Sequence, residues 1–446
     1  MSSCLLRRGI GLRAFTIVFG FILFSVGMGS LFAEEGFVKR VGSQFELDGK
    51  PYRFVGANFW AAMNIAVEDL RAGQPHTGRL ARELDRLKAL GATNLRILAA
   101  SEGPVGSPLR IAPLMQLEPG IYDEEVLKGL DLVLFEMQKR QMKAVMILNN
   151  FWHFSGGMAQ YLNWVTREPI PYPPPYPGGS WGTYQNYTAK FYANEKATSL
   201  YENFIRMLVL RKNSYTGEKY KDDSAIMTWQ LANEPRGLSH VTAFNRWIES
   251  TANLIRSLDS RHLITTGSEG EASDPTSVGL DLIRNHAYQN IDYATAHVWA
   301  QNWGWYDPEK AKQTYAGAAA KMRAYVRDQT EKARKLNKPL VFEEFGLARE
   351  GQSFDPQSDT TYRDLYYKDI LEEVVRAIAD KAPLVGINFW AWAGEGRPKV
   401  PYGSFWRPGD PFIGDPAQEP QGWYSIYDSD RSTLEIIQNY ADRISR

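Results

Sequence analysis

The sequence predicts an α/β protein, a (β/α)8 TIM barrel with long βα loops and a short N-terminal β-hairpin, and three observations carry that expectation. Eight apolar, β-rich runs recur along the 446-residue chain. Patterns with apolar residues three to four positions apart, the signature of amphipathic helices, lie between them. The runs are continuously apolar rather than alternating, which indicates strands buried on both faces, as in a parallel sheet wrapped by helices. A doubly wound open sheet is the alternative, but it commonly carries a Gly-rich phosphate turn after an early strand, and this chain has none.

In chain order, Arg7, Arg8 and Arg13 precede an uncharged stretch from Ala14 to Ala33, which Glu34 and Glu35 follow. A basic start, an apolar middle and small residues at Gly27, Gly29, Ser30 and Ala33 predict a secretory signal peptide over 1–33. The stretch is also long enough to span a bilayer, so an uncleaved anchor is the alternative. The single cysteine, Cys4, would leave with this segment. An exported protein without a thiol has no disulfide, no Cys-ligated zinc and no cysteine nucleophile.

Residues 34–446 read as a single barrel domain, with no internal repeat, linker or charge run. A hairpin over Phe37 to Lys50 precedes the first strand and closes the barrel floor. Strands are predicted at Tyr52 to Phe59, Thr93 to Leu98, Lys143 to Asn150, Ile226 to Asn233, Leu263 to Ser268, Tyr293 to Trp299, Pro339 to Gly346 and Val385 to Trp392. Helices are predicted around Leu80, Leu84, Leu87 and Leu90, around Leu127, Leu130, Leu134 and Met137, and around Ile370, Leu371, Val374 and Ile378. Two connections exceed what the scaffold needs, Phe151 to Asn194 and Trp392 to Tyr427. The first sets Trp152, Trp164, Tyr172, Tyr176, Trp181 and Tyr184 among prolines, and long loops in compact domains are usually functional.

Charge narrows the partner. The chain has 51 Lys+Arg against 51 Asp+Glu, so nothing in its balance attracts nucleic acid or an anionic membrane. Thirteen Trp and 23 Tyr supply flat rings that pack cores and also stack on sugar faces. No HExxH or clustered histidine pattern occurs among the six His, so no metal or other cofactor is expected. Gly178-Gly179-Ser180-Trp181-Gly182 matches G-x-S-x-G, but it lies in a Pro/Gly loop rather than in the strand-turn-helix setting that a nucleophilic serine needs. Asn186-Tyr187-Thr188 is a glycosylation acceptor only in a host that glycosylates.

In a barrel of this type reactive side chains come from the C-terminal ends of strands. Here those ends offer Arg96, Asn149, Asn150, Asn233, Glu234, His297, Glu343, Glu344, Trp390 and Trp392. Two Glu on strands four and seven face each other across the barrel mouth. Neighbouring buried carboxylates push one pKa up and leave an acid and a base, the pair that glycosidic cleavage requires. Glu343 is expected to face the other side of its strand, because side chains alternate.

The run Trp229-Gln230-Leu231-Ala232-Asn233-Glu234-Pro235-Arg236 resembles the Asn-Glu-Pro signature of glycoside hydrolase family 5, and Phe342-Glu343-Glu344-Phe345-Gly346 resembles its nucleophile strand. The resemblance assigns acid/base catalysis to Glu234 and the nucleophile to Glu344. Asn149-Asn150-Phe151-Trp152, His297-Val298-Trp299 and the tail from Glu419 to Asp430 are similar to the endo-β-1,4-mannanase subgroup, which covers essentially the whole mature chain. The resemblance implies that Arg96, Asn150, Trp152, Asn233, Arg236, His297, Trp299 and Trp390 bind substrate, with Asn233 on the sugar 2-hydroxyl and Trp390 as a stacking floor. It departs from the family pattern at Trp299, where many members have Tyr, and at the end of strand three, where Asn149 and Asn150 stand in place of a His. The expectation is a secreted, monomeric, retaining endo-β-1,4-mannanase acting on mannan, glucomannan or galactomannan. An endo-glucanase and a non-catalytic carbohydrate-binding barrel are the alternatives.

Overall fold

The computed structural model describes residues 36–271 and 275–446. The predicted signal segment lies outside the described residues. Residues Glu35–Arg446 form one compact unit. Its centre is an eight-stranded parallel sheet made of Phe54–Asn58, Ala92–Leu98, Lys143–Ile147, Ile226–Gln230, Leu263–Thr265, Ala294–Val298, Leu340–Phe345 and Leu384–Phe389, which are barrel strands one to eight. Each pairs with the next in sequence except five with six, and strand eight pairs with strand one through Phe54 to Ala57, so the sheet curls round nearly into a closed barrel. The seam lies between strands five and six. It is bridged by Asp292 N–H to the Ile264 carbonyl at 2.8 Å and His297 N–H to the Glu269 carbonyl at 3.0 Å.

All eight predicted strands are present, and several end earlier than their apolar runs. Asn149, Asn150, Asn233 and Glu234 lie just past strands three and four, in turns that bond across the barrel mouth: Asn233 N–H donates to the Asn149 carbonyl at 2.9 Å. Apolar periodicity marks where a run is buried, and burial continues past the last ladder bond. The three predicted helices are Arg79–Ala89, Glu124–Lys139 and Thr361–Ala379. Asp123 caps the second of these by accepting from Glu125 N–H and Val126 N–H.

At the opposite end of the barrel, Val38–Val41 pairs antiparallel with Gln44–Leu47, and Lys50–Pro51 adds a third short strand that the hairpin expectation lacked. This ribbon turns Val38 and Phe45 into the barrel bottom, against Phe54, Met227, Leu263, Tyr293, Val341 and Val385. The Phe45 ring meets Tyr293 edge-on, with centroids 5.3 Å apart. The bottom is thereby sealed and the functional end is the other one.

The two long connections are more ordered than the sequence suggests. The first contains helices Gly157–Thr166 and Trp181–Ala189, and a 3-10 turn leads out of it into helix Glu195–Val209. Trp181–Ala189 was missed because its Thr, Gln and Asn residues give it almost no apolar stripe. Ser180 of the G-x-S-x-G match is its N-cap, its hydroxyl accepting from Thr183 N–H at 3.3 Å. The last connection is pinned by Asp415, whose carboxylate accepts from Gly422 N–H at 2.9 Å, Tyr424 N–H at 2.7 Å and the Ser425 hydroxyl at 2.5 Å.

Phe45→Ala removes a ring that is 1% exposed and opens a void at the barrel floor, far from the mouth. A loss of about 3 kcal/mol in unfolding free energy is expected in urea titration, with activity retained in the folded protein. An unchanged unfolding midpoint would show that the ribbon does not seal the barrel.

Candidate active site

Strand four runs into Leu231-Ala232-Asn233-Glu234, and the turn bonds sideways to both neighbours. Leu231 N–H donates to the Thr265 carbonyl at 2.9 Å and Glu234 N–H to the Gly267 carbonyl at 3.0 Å. Glu234 sits at φ +49°, in the left-handed region, which costs a non-glycine residue about 1–2 kcal/mol. The close approach also demands Gly267: a Cβ there would lie 1.8 Å from the Ala232 carbonyl oxygen.

Strand seven brings the second carboxylate through an irregularity. Its pairing with strand six matches Ala296 to Phe342 and then His297 to Glu344, skipping Glu343. This bulge overturns the expected alternation. Glu344 reaches the mouth, and Glu343 also turns inward, where its Oε2 accepts from Gln230 Nε2 at 2.6 Å.

The two carboxylates share a web of donors. Arg96, with no exposed surface, donates through one terminal nitrogen to Glu344 and to Asn58 Oδ1 at 3.0 Å, through the other to Asn233 Oδ1 at 2.7 Å, and through Nε to Gln230 Oε1 at 2.9 Å. His297 Nδ1 lies 2.6 Å from Glu234 Oε1 and 3.2 Å from Glu344 Oε2. Two indoles complete the set: Trp152 Nε1 donates to Glu234 Oε2 at 2.6 Å and Trp299 Nε1 to Glu344 Oε2 at 3.2 Å. Trp299 therefore supplies Glu344 with a donor despite having no phenol oxygen.

A carboxylate oxygen of each Glu and a ring nitrogen of His297 all lie within 4.8 Å of one another. Such a trio is also ligand-type for a cation, but Nδ1 already faces both carboxylates at hydrogen-bonding distance, so a protonated imidazole supplies positive charge at that point. Burial alone would lower the His297 pKa. The charge of Glu344 and the hydrogen bonds to Glu234 and Glu344 outweigh it and raise the pKa to about 10. Burial would raise Glu234, but the bond and charge of His297, the charge of Arg236 and the Trp152 indole bring it down to about 2. Of the pair expected from sequence, Glu234 is therefore not the carboxyl that is pushed up. A cation wedged between the two removes the repulsion that would have pushed it up.

The site opens into a cleft of about 600 Å³. Of the residues predicted from sequence, Trp152, Asn233, Glu234, Arg236, Trp299, Glu344 and Trp390 line it. Arg96, Asn150 and His297 do not; all three are fully buried behind the lining. Asn150 braces instead of binding: its Oδ1 accepts from Asn233 Nδ2 at 3.2 Å and from Trp152 N–H at 3.0 Å. Arg236 lies over the Trp152 ring, 5.0 Å from its centroid, and is held by Glu269 at 2.8 Å and by Gln185 Oε1 at 2.9 Å.

The opposite wall comes from the last connection. Trp390, Trp299, Tyr424 and Trp423 form a row of rings with successive centroids 6.0, 5.0 and 4.8 Å apart. Beside them Gln418 Oε1, Glu419 Oε2 and Trp423 Nε1 are buried and make no hydrogen bond among the described residues. Burial, then the charges of Asp415, Glu344 and Glu234, hold the Glu419 pKa well above the usual carboxylate range. Gln185, Glu269, Gln418 and Glu419 were not singled out from sequence as site residues. Gln185 lies on the helix Trp181–Ala189 that has almost no apolar stripe, Glu269 follows directly on the strand-five run, and Gln418 and Glu419 lie in the last connection without a strand run to mark them.

A family model described as GH family 5 β-mannosidase-like matches residues 35–446. The chain belongs to this glycoside hydrolase family. Among curated proteins, mannan endo-1,4-β-mannosidase 5 of Solanum lycopersicum is 30% identical over 376 residues, covering 81% of this chain and 82% of the relative. Among solved structures, the glycoside hydrolase family 5 mannosidase of Rhizomucor miehei is 35% identical with a TM-score of 0.84, covering 92% of this chain and 98% of that one. The endo-1,4-β-mannanase of the same fungus, at 22% identity and a TM-score of 0.66 over 92% and 99% of the two chains, shares the fold. The glycoside hydrolase is thus an enzyme whose carboxylates stand at the ends of strands four and seven. No helix among the described residues is long and apolar enough to cross a membrane.

The contacts of His297 set a pH signature. A folded-state pKa raised from 6.5 to about 10 stabilises fully below pH 6.5 and is lost as pH rises through 10. Glu234, lowered from 4.5 to about 2, stabilises above pH 4.5 and loses that contribution as pH falls through 2. The gap in unfolding free energy between wild type and His297→Gln is therefore expected to peak between about pH 4.5 and 6.5 and to shrink on both sides, in guanidinium titrations at pH 3, 5.5 and 9.5. A gap independent of pH would show that His297 is not the cation between the carboxylates.

Proposed function

We propose that this enzyme is a retaining hydrolase of β-1,4-mannosidic bonds that works by double displacement, with Glu344 as nucleophile and Glu234 as acid and base. The approach of the two carboxylates within 4.8 Å carries the reading, because retaining pairs stand about 5–5.5 Å apart and inverting pairs leave room for a water. Glu344 attacks the anomeric carbon while the leaving oxygen takes a proton from Glu234. His297 feeds that step: as Glu344 gives up its charge to the forming ester, the main cause holding the imidazole proton is lost, and the proton moves across the 2.6 Å bond to Glu234 as Glu234 protonates the leaving oxygen. In the second half Glu234 removes a proton from water, which attacks the glycosyl ester and frees the Glu344 carboxylate, and that proton returns to His297. Asn233 binds the sugar 2-hydroxyl, Trp390 and Trp299 hold the reacting sugar, and Trp152 with Arg236 holds the leaving side. Arg96, Asn150 and His297 act from behind the lining. No cofactor enters the scheme.

The point of attack has two readings. Relatives at 30% identity named mannan endo-1,4-β-mannosidases favour internal bonds of mannan, glucomannan or galactomannan. Attack at chain ends is favoured by the mannosidase at 35% identity and by the wall of Gln418, Glu419 and Trp423, whose unpaired polar atoms suit a terminal sugar rich in hydroxyls. We further propose export through residues 1–33 and action as a monomer on polysaccharide outside the cell, with residues 34–446 as the catalytic domain.

Glu344→Ala is expected to lower turnover of linear mannan at least ~10³-fold while calorimetric binding of mannohexaose stays within a few-fold. Near-normal turnover from folded protein would remove Glu344 from the mechanism. Mass spectrometry of products from mannan, glucomannan, carboxymethyl cellulose and xylan decides the rest. A ladder of short oligomers marks internal attack, mannose alone marks chain-end attack, and release from cellulose only would transfer the enzyme to the glucanases.

A further inference from the structure

Three carboxyl groups, not two, converge on the cations beneath the cleft. Glu343 is 1% exposed and has no part in the double displacement itself, although a role for it rests on that proposed mechanism. Its partners are all inside the barrel. Oε2 accepts from Gln230 Nε2 at 2.6 Å, Oε1 lies 3.4 Å from the Tyr293 hydroxyl, and its main-chain carbonyl accepts from Asn58 Nδ2 at 2.7 Å. Arg96 Nε is 3.7 Å from Oε2, but that N–H is spent on Gln230 Oε1.

The charges decide which of the three is neutral. Arg96 and a protonated His297 supply two positive charges. Glu344 receives direct bonds from both and from Trp299, and Glu234 receives His297 and Trp152. Glu343 receives one neutral amide and, at 3.4 Å, the neutral Tyr293 hydroxyl, and no hydrogen bond from either cation. A third buried carboxylate without a bonded cation is the costly one, so it is the group that holds a proton. Burial, followed by the opposing pull of Arg96, His297 and Gln230 and the push of Glu344, leaves its pKa raised, in agreement. As an acid it carries its proton on Oε1, beside the Tyr293 hydroxyl, while Oε2 goes on accepting from Gln230.

We infer that Glu343 is a positioning residue that works as a neutral carboxylic acid, fixing the Gln230 amide so that Arg96 presents its two terminal nitrogens to Glu344 and Asn233. Gln230 is the only link needed: with Nε2 on Glu343, its Oε1 must face Arg96 Nε, which orients the guanidinium plane. An ionised Glu343 would instead pull Arg96 toward itself and divide its charge between two carboxylates. Because the bulge between strands six and seven creates this inward position, the device depends on that irregularity.

The test is steady-state kinetics on an aryl β-mannoside and on mannohexaose, with active sites counted by trapping with a 2-deoxy-2-fluoro-mannosyl fluoride. Glu343→Ala is expected to lower kcat about 10- to 100-fold with KM within about threefold, as for a group that acts on the nucleophile and not on substrate. Glu343→Gln, which copies the neutral acid, is expected to restore kcat to within about threefold of wild type with an unshifted pH profile. Should Glu343→Ala not fold, Gln230→Met interrupts the same relay and is expected to show the same split. A Glu343→Gln enzyme as impaired as Glu343→Ala, a change confined to KM, or wild-type kcat in Gln230→Met would each overturn the inference. A wild-type enzyme inactive on every β-mannoside would instead overturn the proposed function and leave Glu343 aside.

Discussion

The guanidinium of Arg96 ties four barrel strands into one site. It starts on strand two and reaches Asn58 on strand one, Gln230 and Asn233 at the end of strand four, and Glu344 on strand seven. Its planar fork of donors matches this set of acceptors, which a lysine ammonium would not. Both charges are out of water, so removing either partner would leave the other unpaired at a cost of about 3–5 kcal/mol. The position of Glu344 and the orientation of Asn233 both refer back to this one group.

A second constraint is the proximity of the two carboxylates. Bare, they would repel; His297 between them holds Glu234 well below the usual carboxylate range and itself keeps a proton. The indoles of Trp152 and Trp299 add donors that cannot accept, so neither competes for that proton. The site is accordingly assembled in the free protein, and the left-handed turn at Glu234 is tolerated because cross-strand main-chain bonds hold it.

Much of this was legible in the chain. Continuous apolar runs placed all eight strands, since burial on both faces leaves a compositional trace, and Asn233-Glu234-Pro235 and Glu344-Phe345-Gly346 located the carboxylates. What failed did so for identifiable reasons. Strict alternation put Glu343 on the outside, because a bulge is a property of pairing between strands and not of one strand. Asn150 reads like a substrate ligand by position but braces Asn233, and helix Trp181–Ala189 carries no apolar stripe because its packing is with its own loop. The polar wall of Gln418 and Glu419 has no local signature at all.

The sequence by itself determined the barrel, its alternation of strand and helix, and the placement of two carboxylates at the ends of strands four and seven, because these follow from local periodicity and from residues at strand ends. Only the tertiary structure decided which residues touch the cleft, which stand behind it, and where the proton resides. Those outcomes depend on distances between strands remote in sequence: 248 positions separate Arg96 from Glu344, and 63 separate Glu234 from His297. The field at each group is set by what folding brings beside it, and no run of neighbouring residues encodes that field.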